Sequence, residues 1–243
     1  MHYFIGTSGW HYGHWRERFY PAALPTSRWL EYYAERFDSV EINNSFYRLP
    51  SASTLACWRD TTPKKFQFSL KASRFITHNK KLNGLESFEL FFDRIAAIRA
   101  KLGVVLFQLP PRWKVNVERL DEFLSGLPRG LTVAFELRNQ TWLCDAVYDT
   151  LAKHKAGFCV YDIEGFTSPF VVTADFTYVR LHGPVLKYAG VYGEARLAQW
   201  LDQITRQRKL KRAYVYFDND VGGAAVEDAL TFKRLCGDQH GKD

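Results

Sequence analysis

The sequence predicts an α/β protein with the (β/α)8 fold of TIM-like barrels, as a single domain over residues 1–243. Eight short apolar runs, rich in β-branched and aromatic residues, alternate with segments of helical periodicity. The 243 residues give about 30 residues per strand–helix repeat, and this length lies close to the roughly 250 residues typical of the fold. No stretch rich in proline, glycine and serine divides the chain, which favours one domain.

The strands and helices follow one another in regular order. Strands are predicted at Tyr3–Ser8, Ser39–Asn43, Phe66–Lys71, Val104–Leu109, Thr132–Leu137, Gly157–Asp162, Tyr178–His182 and Ala213–Asp218. Helices are predicted at Ser27–Phe37, Ser53–Asp60, Leu85–Leu102, Val117–Gly126, Leu143–Lys155, Glu194–Lys209 and Val226–Cys236. The connection after the sixth strand, with Gly165 and Pro169, is predicted to lack a helix. An open doubly wound sheet is the alternative, but Gly6-Thr7-Ser8-Gly9-Trp10 does not match its phosphate-binding GxGxxG turn.

Composition limits the class of protein. Lys+Arg 33 against Asp+Glu 26 gives a net charge of 33 − 26 = +7, and the hydrophobic content of 47% supports a substantial core rather than disorder. A positive balance favours anionic partners, although a modest excess also serves solubility. The four cysteines, Cys57, Cys144, Cys159 and Cys236, lie far apart and are expected to be small buried side chains in a reducing, cytoplasmic protein.

Targeting signals are also absent from the sequence pattern. The first residues enter an apolar run at once, so no export signal is expected. No segment reaches the roughly 20 apolar residues that span a bilayer, and no membrane partner is expected.

The strand ends carry the candidate functional residues. When strand residues are taken in alternation, one face of each strand becomes polar at its carboxyl end, whereas the other face stays mostly apolar. The polar set is Glu41, Asn43, Lys71, Gln108, Glu136, Arg138, Asp162, Arg180, His182 and Asp218. In a (β/α)8 barrel this end of the strands forms the functional mouth, and a buried charge there must be neutralised or used.

Two interpretations of this set remain open. In the first, Glu41, Glu136, Asp162 and Asp218 pair with Lys71, Arg138 and Arg180 in a purely structural network. In the second, the set is a ligand site with catalytic candidates Glu41, Glu136, Asp162, His182 and Asp218. The substrate-binding candidates are then Ser8, Trp10, Asn43, Tyr47, Lys71, Gln108, Arg138, Trp142, Arg180 and Asn219. The convergence of so many charged groups favours the ligand site.

The chemistry expected at such a site is metal-free acid–base catalysis of the hydrolase or isomerase type. It needs two carboxyl groups in contrasting surroundings, and Glu136 and Asp162 end neighbouring strands beside Arg138. Lys71, Arg138 and Arg180 would hold an anion. The aromatic residues Trp10, Trp15, Tyr47, Trp113 and Trp142 follow strand ends, where they would stack on a sugar or base, or else clamp loops.

No cofactor is expected. A divalent zinc or manganese ion is the alternative, because His11, His14 and His78 lie in predicted loops on the same face as His182. No closely spaced pair of histidines fixes such a site.

Six motifs spread along the chain resemble one known family. They are Gly6-Thr7-Ser8-Gly9-Trp10, Val40-Glu41-Ile42-Asn43-Asn44-Ser45-Phe46-Tyr47, Leu106-Phe107-Gln108-Leu109-Pro110-Pro111, Phe135-Glu136-Leu137-Arg138-Asn139, Tyr178-Val179-Arg180-Leu181-His182-Gly183 and Tyr216-Phe217-Asp218-Asn219-Asp220. The chain resembles the domain of unknown function family 72, which implies an eightfold barrel and carries no settled reaction. Leu137-Arg138 stands where the family usually has Phe-Arg, and Asp218-Asn219-Asp220 where it has Asn-Asn-Asp.

The sequence thus predicts an enzyme that acts on an anionic small molecule, phosphorylated or sugar-containing, at the carboxyl-terminal mouth of the barrel. The alternative is a nucleic-acid-binding or endonuclease-like barrel that uses a basic, aromatic rim. The identity of the substrate, the reaction, the need for a metal and the oligomeric state are left open.

Overall fold

The computed structural model describes residues 1–84 and 88–240. The chain divides into two compact units. Unit 1 comprises Met1–Glu41, Val160–Phe170 and Asp175–Asp243, and unit 2 comprises Ile42–Cys159 and Val171–Ala174. The expectation of a single domain stays a prediction.

Strands and helices alternate along the chain as the sequence predicts. The strands are β1 (His2–Thr7), β2 (Ser39–Ile42), β3 (Gln67–Lys71), β4 (Leu102–Leu109), β5 (Val133–Leu137), β6 (Gly157–Ile163), β7 (Phe166–Thr167), β8 (Phe176–Leu181) and β9 (Arg212–Phe217). The helices are α1 (Trp29–Ala34), α2 (Ala52–Thr61), α3 (Glu89–Ala96), α4 (Val117–Ser125), α5 (Asp145–Lys153), α6 (Gly193–Thr205) and α7 (Ala224–His240). The eight predicted strands are present, with ends that differ by no more than two residues, and the connection after β6 contains the short strand β7 instead of a helix.

The third helix is shorter than predicted. The expected span was Leu85–Leu102, whereas α3 covers Glu89–Ala96, and residues 85–87 lie outside the described part of the chain. A separate turn at Arg99–Lys101 follows, and Leu102 already opens β4. Of the predicted span only Leu102 belongs to the following strand, and residues 97–101 form turns although their composition, with two alanines, an isoleucine and two basic residues, suits a helix.

In unit 1, β9 pairs in parallel with β1 on one side and with β8 on the other. The register runs without a break from His2↔Arg212 to Thr7↔Phe217 in the first pair and from Phe176↔Arg212 to Leu181↔Phe217 in the second. The amide of His182, just after β8, donates to Asp162 O in β6 at 2.9 Å. β7 pairs antiparallel with β6. The carboxyl ends of β1, β6, β8 and β9 consequently lie at one edge, and the residues that follow them are brought together.

A close approach within unit 1 depends on glycine. A side-chain carbon on Gly6 of β1 would lie 2.0 Å from the carbonyl oxygen of Ser39 in β2 and 2.7 Å from the hydroxyl of Tyr33. The same hydroxyl accepts from Thr7 N at 2.9 Å. Any larger residue at position 6 would push these segments apart.

In unit 2, β3, β4 and β5 pair in parallel, and Gln108 of β4 stands opposite Glu136 of β5. β4 is buried along most of its length, and Phe107 stacks on Phe135 with ring centroids 5.2 Å apart. α4 begins at a side-chain cap in which Asn116 accepts from Arg119 N at 2.8 Å, and its Phe123 packs on Phe107. This helix therefore packs on the sheet of unit 2 through Phe123, which contacts Phe107 and Phe135.

The cysteine prediction is partly wrong. Cys159 and Cys236 are buried, but Cys57 is exposed and Cys144 is half-buried. Cys57 lies on α2, where only Leu55 is buried, so most of that helix surface faces water. Among the described residues no helix combines the length and the apolar character needed to cross a membrane. The expected cytoplasmic location stays a prediction.

Candidate active site

A buried network in unit 1 joins residues from β1, β2 and β8. The carboxylate of Glu41 accepts from Ser8 Oγ at 2.7 Å, from Tyr178 OH at 2.6 Å and from Arg180 Nη2 at 2.6 Å. Arg180 Nε is a further donor at 3.2 Å. Glu41 is 0% exposed and Arg180 is 1% exposed, so this ion pair is removed from water. Multiple charge-assisted hydrogen bonds offset the desolvation of the two charges.

The network continues from Arg180 to His182 and Asp218. Arg180 Nη2 lies 3.3 Å from Asp218 Oδ2, and Arg180 Nη1 lies 3.2 Å from His182 Nε2. His182 Nδ1 lies 2.8 Å from the same Asp218 oxygen. Because a guanidinium donates only, this arrangement suits a neutral imidazole with its proton on Nδ1 and its Nε2 as acceptor. We call Glu41, Tyr178, Arg180, His182 and Asp218 the unit-1 network.

Asp218 is the member of this network that meets solvent. Its side chain is 16% exposed, whereas the side chains of Glu41, Arg180 and His182 are at most 1% exposed. The Asp218 carboxylate is therefore held in one orientation by His182 and Arg180 and remains within reach of a small ligand.

A second carboxyl group, Asp220, lies two residues further on. It accepts from Trp15 Nε1 at 2.7 Å, and His14 Nε2 lies 2.9 Å from its other oxygen. Burial raises the pKa of Asp220 above its ordinary 3.8, and the negative charge of Asp218 raises it further, against the lowering effect of Trp15 and His14. The side chain is 17% exposed, so it also reaches solvent. The two carboxyl groups thus have contrasting surroundings.

Tyr12 lies close to both carboxyl groups. Burial raises the pKa of its phenol, and the charges of Asp218, Asp220 and Glu41 add to this effect. Its hydroxyl donates to Ser8 O at 2.5 Å. The loop after β1 therefore contributes a neutral hydroxyl group beside Asp218 and Asp220.

Asp162, at the end of β6, has partners that differ from those predicted. It is 0% exposed, and its oxygens accept from Thr167 Oγ1 at 3.1 Å and from Arg196 Nη2 at 3.1 Å. Arg196 lies on α6 and was not singled out from the sequence, because one arginine beside an apolar helix face carries no distinctive pattern. Asp220 was missed as well. It lies two residues after Asp218, so the alternation that singled out Asp218 could have been extended by one more position beyond the end of β9.

In unit 2, Glu136 is fully buried and forms an ion pair with Nε of Arg138, whose side chain is 12% exposed. We call these two residues the unit-2 pair. Gln108 is half-buried opposite Glu136. Lys71 is half-buried, with its ammonium 4.6 Å from the ring centroid of Phe46, and Asn43 is half-buried at the end of β2. Of the three cations expected to hold an anion, Arg138 and Arg180 therefore each contact a carboxylate, and Lys71 lies against the Phe46 ring.

The aromatic residues that follow strand ends are mostly buried. Trp10 is 8% exposed, and Trp15 and Trp142 are 0% exposed. Trp142 Nε1 donates to Trp113 O at 2.8 Å, so this pair clamps a loop in unit 2. Of the two roles that the sequence left open, loop packing is therefore favoured over stacking for these three buried rings. Tyr47, by contrast, is 81% exposed.

The remaining candidates are also accounted for. Asn219 is 0% exposed and bonds to protein groups, so its predicted contact with substrate finds no open surface. His11 packs beside Trp29, and His78 lies 5.0 Å from Phe46, where burial, Lys71 and Arg74 lower its pKa. Over residues 1–84 and 88–240, no group of three or more His, Cys, Asp or Glu side chains is arranged to hold a metal ion.

Eight strands that alternate with helices, together with polar side chains where parallel strands end, define a protein of the (β/α)8 TIM-like barrel class. The family profile described as "Protein of unknown function DUF72" matches residues 4–243. The chain belongs to this family. The predicted fold class and the resemblance carried by the six motifs are confirmed.

Relatives from two bacteria agree with this assignment. UPF0759 protein YunF of Bacillus subtilis (strain 168) is 28% identical over 96% of this chain and 94% of that protein. UPF0759 protein YecE of Escherichia coli (strain K12) is 30% identical over 45% of this chain and 41% of that protein. These names state a family and not a reaction.

Solved structures support the fold. The crystal structure of a DUF72 family protein from Thermotoga maritima MSB8 matches with a TM-score of 0.88 at 28% identity, covering 98% of this chain and 100% of that chain. A DUF72 family protein from Enterococcus faecalis V583 matches with a TM-score of 0.81 at 19% identity, over 97% of this chain and 95% of that chain. The second likeness shows the fold alone.

Proposed function

We propose that this chain is an enzyme that transfers protons to and from a small hydroxyl-bearing substrate, with Asp218 as base and Asp220 as acid. The observation that carries the proposal is the contrast between these two carboxyl groups. The Asp218 carboxylate faces Arg180 and the Nδ1 of His182, which favours its ionised form. Burial raises the pKa of Asp220, which favours its protonated form. Titratable groups with such opposed surroundings serve as an acid and a base at one pH.

The unit-1 network supports this role by fixing Asp218. Catalytic groups need their orientation set by neighbours that are themselves immobilised. His182 is fully buried and bonded on both ring nitrogens, and Arg180 is held by Glu41. Glu41, Arg180 and His182 are then positioning residues, and Asp218 and Asp220 are the residues that contact substrate.

For the substrate, we favour a sugar-containing compound over a phosphorylated one. At two of the three cations expected to bind it, a phosphate would have to compete with a carboxylate, namely with Glu41 for Arg180 and with Glu136 for Arg138. Sugar hydroxyl groups donate to carboxylates without breaking either ion pair. A phosphorylated substrate, which the sequence analysis also allowed, is therefore the less favoured alternative.

Ligand-observed NMR with D-xylose, D-fructose and glucose 6-phosphate tests this choice. We expect the sugars to bind, and we expect Asp218→Asn to weaken binding about tenfold, the effect of losing one charge-assisted hydrogen bond. Asp220→Asn replaces a neutral carboxyl donor and is expected to weaken binding by a smaller factor. Asp202→Asn is the matched control, since Asp202 is 49% exposed on α6 and pairs with Arg206. Tighter binding of glucose 6-phosphate than of the sugars would restore the anion site.

Turnover is tested with the same variants. Incubation in D2O with D-xylose or D-fructose reports isomerase-type proton exchange at the carbon next to the carbonyl, and a panel of nitrophenyl glycosides reports hydrolysis. We expect activity in one of these assays, lost in Asp218→Asn and Asp220→Asn and kept in Asp202→Asn. Absence of turnover in both assays with the unaltered protein would contradict the proposal.

A second candidate function rests on the surface of unit 2. Tyr47 is 81% exposed and Phe75 is 43% exposed, and Arg74, Lys80 and Lys81 are exposed in the same unit. Lys80 lies 5.5 Å from the centroid of the Phe75 ring. Aromatic rings with neighbouring cations are typical of surfaces that bind single-stranded nucleic acid.

Fluorescence anisotropy with a labelled single-stranded oligonucleotide tests the second candidate. Binding that weakens steeply with salt and falls in Tyr47→Ala would support it. Tyr188→Ala is the control, because Tyr188 is an exposed tyrosine of unit 1. Equal binding by both variants would contradict a specific role for Tyr47.

A further inference from the structure

Asp228, on α7, is a buried carboxyl group outside the unit-1 network. It is 2% exposed. Its oxygens accept from Tyr192 N at 2.9 Å, from Gly193 N at 3.3 Å and from Asn219 Nδ2 at 2.7 Å. A buried carboxylate that accepts from three donors holds each of them in place, because moving any donor away would leave a buried polar group without a hydrogen bond.

Asn219 links Asp228 to the two carboxyl groups proposed to react. It stands between Asp218 and Asp220 and is 0% exposed. Its amide nitrogen also donates to Gly190 O at 2.8 Å. One carboxylate therefore joins the segment 218–220 to the end of the loop that connects β8 with α6. We call Asp228, Asn219, Tyr192 and Gly193 the Asp228 anchor.

The loop held by this anchor, residues 183–192, contacts the network directly. Tyr188 N donates to His182 O at 2.5 Å, and the Tyr188 ring meets the His182 ring edge-on, with centroids 5.8 Å apart. Val221 N donates to Tyr188 O at 2.9 Å. Tyr188 is thus placed between His182 and the segment that follows Asp220.

Both ends of the loop are held by hydrogen bonds from backbone amides to side chains, and at its far end the buried Tyr192 ring also lies edge-on to Phe217, with centroids 6.4 Å apart. Gly183 N donates to Tyr192 OH at 3.0 Å, which closes the loop on itself. Gly183 has φ +128°, and a side-chain carbon there would lie 2.1 Å from Leu186 O, so this conformation requires glycine. Val185 is 72% exposed and Leu186 is 66% exposed. The middle of the loop, residues 185–188, is exposed and depends on its polar contacts for its position.

We propose that Asp228 is a positioning residue that sets the placement of Tyr188 against His182 and of Asp220 beside Asp218. Its role in catalysis rests on the proposed function, whereas its control of the loop does not. A purely structural role is the competing explanation. Tyr192 N and Gly193 N are at the start of α6, so Asp228 would then only cap that helix.

The test compares Asp228→Asn with Glu227→Gln, a matched change at the exposed neighbouring residue of α7. Amide hydrogen exchange is measured by NMR along the whole chain. In Asp228→Asn we expect the amides of Gly183, Tyr188 and Tyr192 to exchange at least about tenfold faster, while the amides of β1 and β9 keep their rates. In Glu227→Gln no amide is expected to change.

A second measurement separates positioning from capping. The 13C signal of the Asp220 carboxyl group reports its titration, and burial is the main reason that the pKa of this group is raised. Loosening of the anchor exposes Asp220 to water, so its pKa is expected to fall toward 3.8 in Asp228→Asn and to be restored in Asp228→Glu. A pure cap of α6 would leave this titration unchanged.

The proposal is overturned if exchange accelerates only within α6, or if it accelerates equally throughout the chain. If Asp228→Asn does not fold, Asn219→Ala breaks the same anchor from its other end and is expected to give the same pattern. Failure of the proposed function would look different. Sugar binding would then be insensitive to Asp220→Asn, while the effects of Asp228→Asn on the loop would remain.

Discussion

The unit-1 network and the unit-2 pair both place a fully buried glutamate against an arginine, but they are built in different ways. Glu136 and Arg138 lie two residues apart, so they share one face of β5 and meet without help from the rest of the chain. Glu41 and Arg180 lie 139 residues apart, and Ser8 and Tyr178 complete the same site. The first contact is local, and the second exists only in the folded unit.

This difference also concerns water. The side chain of Arg138 is 12% exposed, whereas the side chain of Arg180 is 1% exposed. If the glutamate is neutralised, Arg138 can turn to solvent, but Arg180 stays buried with its charge less compensated. A buried ion pair is thus held more rigidly by its surroundings in unit 1 than in unit 2, which suits the task of orienting Asp218.

The largest expected effect follows from neutralising the carboxylate of the unit-1 network. Glu41→Gln should lower the free energy of unfolding by about 3 to 5 kcal/mol, because it leaves the Arg180 charge buried. Urea denaturation measures this loss. Glu31→Gln is the control, since its side chain is 46% exposed and pairs with Arg28 at the surface. A loss below about 1 kcal/mol would show that Arg180 reaches water more easily than its burial implies.

A smaller loss is expected in unit 2. Glu136→Gln should cost about 1 to 2 kcal/mol in the same measurement, because Arg138 remains close to solvent. If the loss equals that of Glu41→Gln, the contrast between the two sites is wrong, and Glu136 is as much a part of the buried structure as Glu41. A gain in stability would instead make Glu136 a candidate for catalysis.

The pH dependence of stability should differ in sign between Asp220 of unit 1 and Asp121 of unit 2. The pKa of Asp220 is raised in the folded protein, mainly by burial, so unfolding releases protons and stability falls as the pH rises from about 3.8 through the raised value. Hydrogen bonds from Lys153 and His154 lower the pKa of Asp121, so this group loses its stabilising contribution as the pH falls below about 3.8.

Denaturant unfolding across this pH range tests the two signs with matched variants. Asp220→Asn should remove the fall in stability that occurs as the pH rises above about 3.8, and Asp121→Asn should remove the loss of stability that occurs as the pH falls below about 3.8. Asp218→Asn adds an internal check, because removing its negative charge should lower the pKa of Asp220. Parallel profiles for both variants would contradict the assigned surroundings of the two groups.

The smallest effect is expected at Tyr47. Because its side chain is 81% exposed, Tyr47→Ala should change the free energy of unfolding by no more than about 0.5 kcal/mol. Trp142→Ala, which empties a fully buried site of the same unit, should cost about 3 to 5 kcal/mol. Thermal and urea denaturation compare the two. A large loss in Tyr47→Ala would mean that the ring packs in solution and is not free to meet a ligand.

The sequence alone was enough to predict the order of strands and helices and the residues that share a face. Alternation along a strand is a local property, so it correctly placed Glu41, Arg180, His182 and Asp218 among the buried or nearly buried groups at strand ends. The same alternation predicted that Glu136 and Arg138 share a face. The early end of the third helix was not visible, because residues 97–101, which form turns, have a composition that suits a helix.

Partners were decided by tertiary structure. The sequence offered Lys71, Arg138 and Arg180 as cations for four carboxylates, but Asp162 pairs with Arg196 from α6, and Asp220 bonds to Trp15 from the loop after β1. Asn219 was expected to contact substrate and instead bonds to Asp228. These contacts join segments that are far apart along the chain, and their distances depend on strand register and on how each helix packs on its sheet. Periodicity determines which way a side chain points, but only the packed structure determines what it meets there.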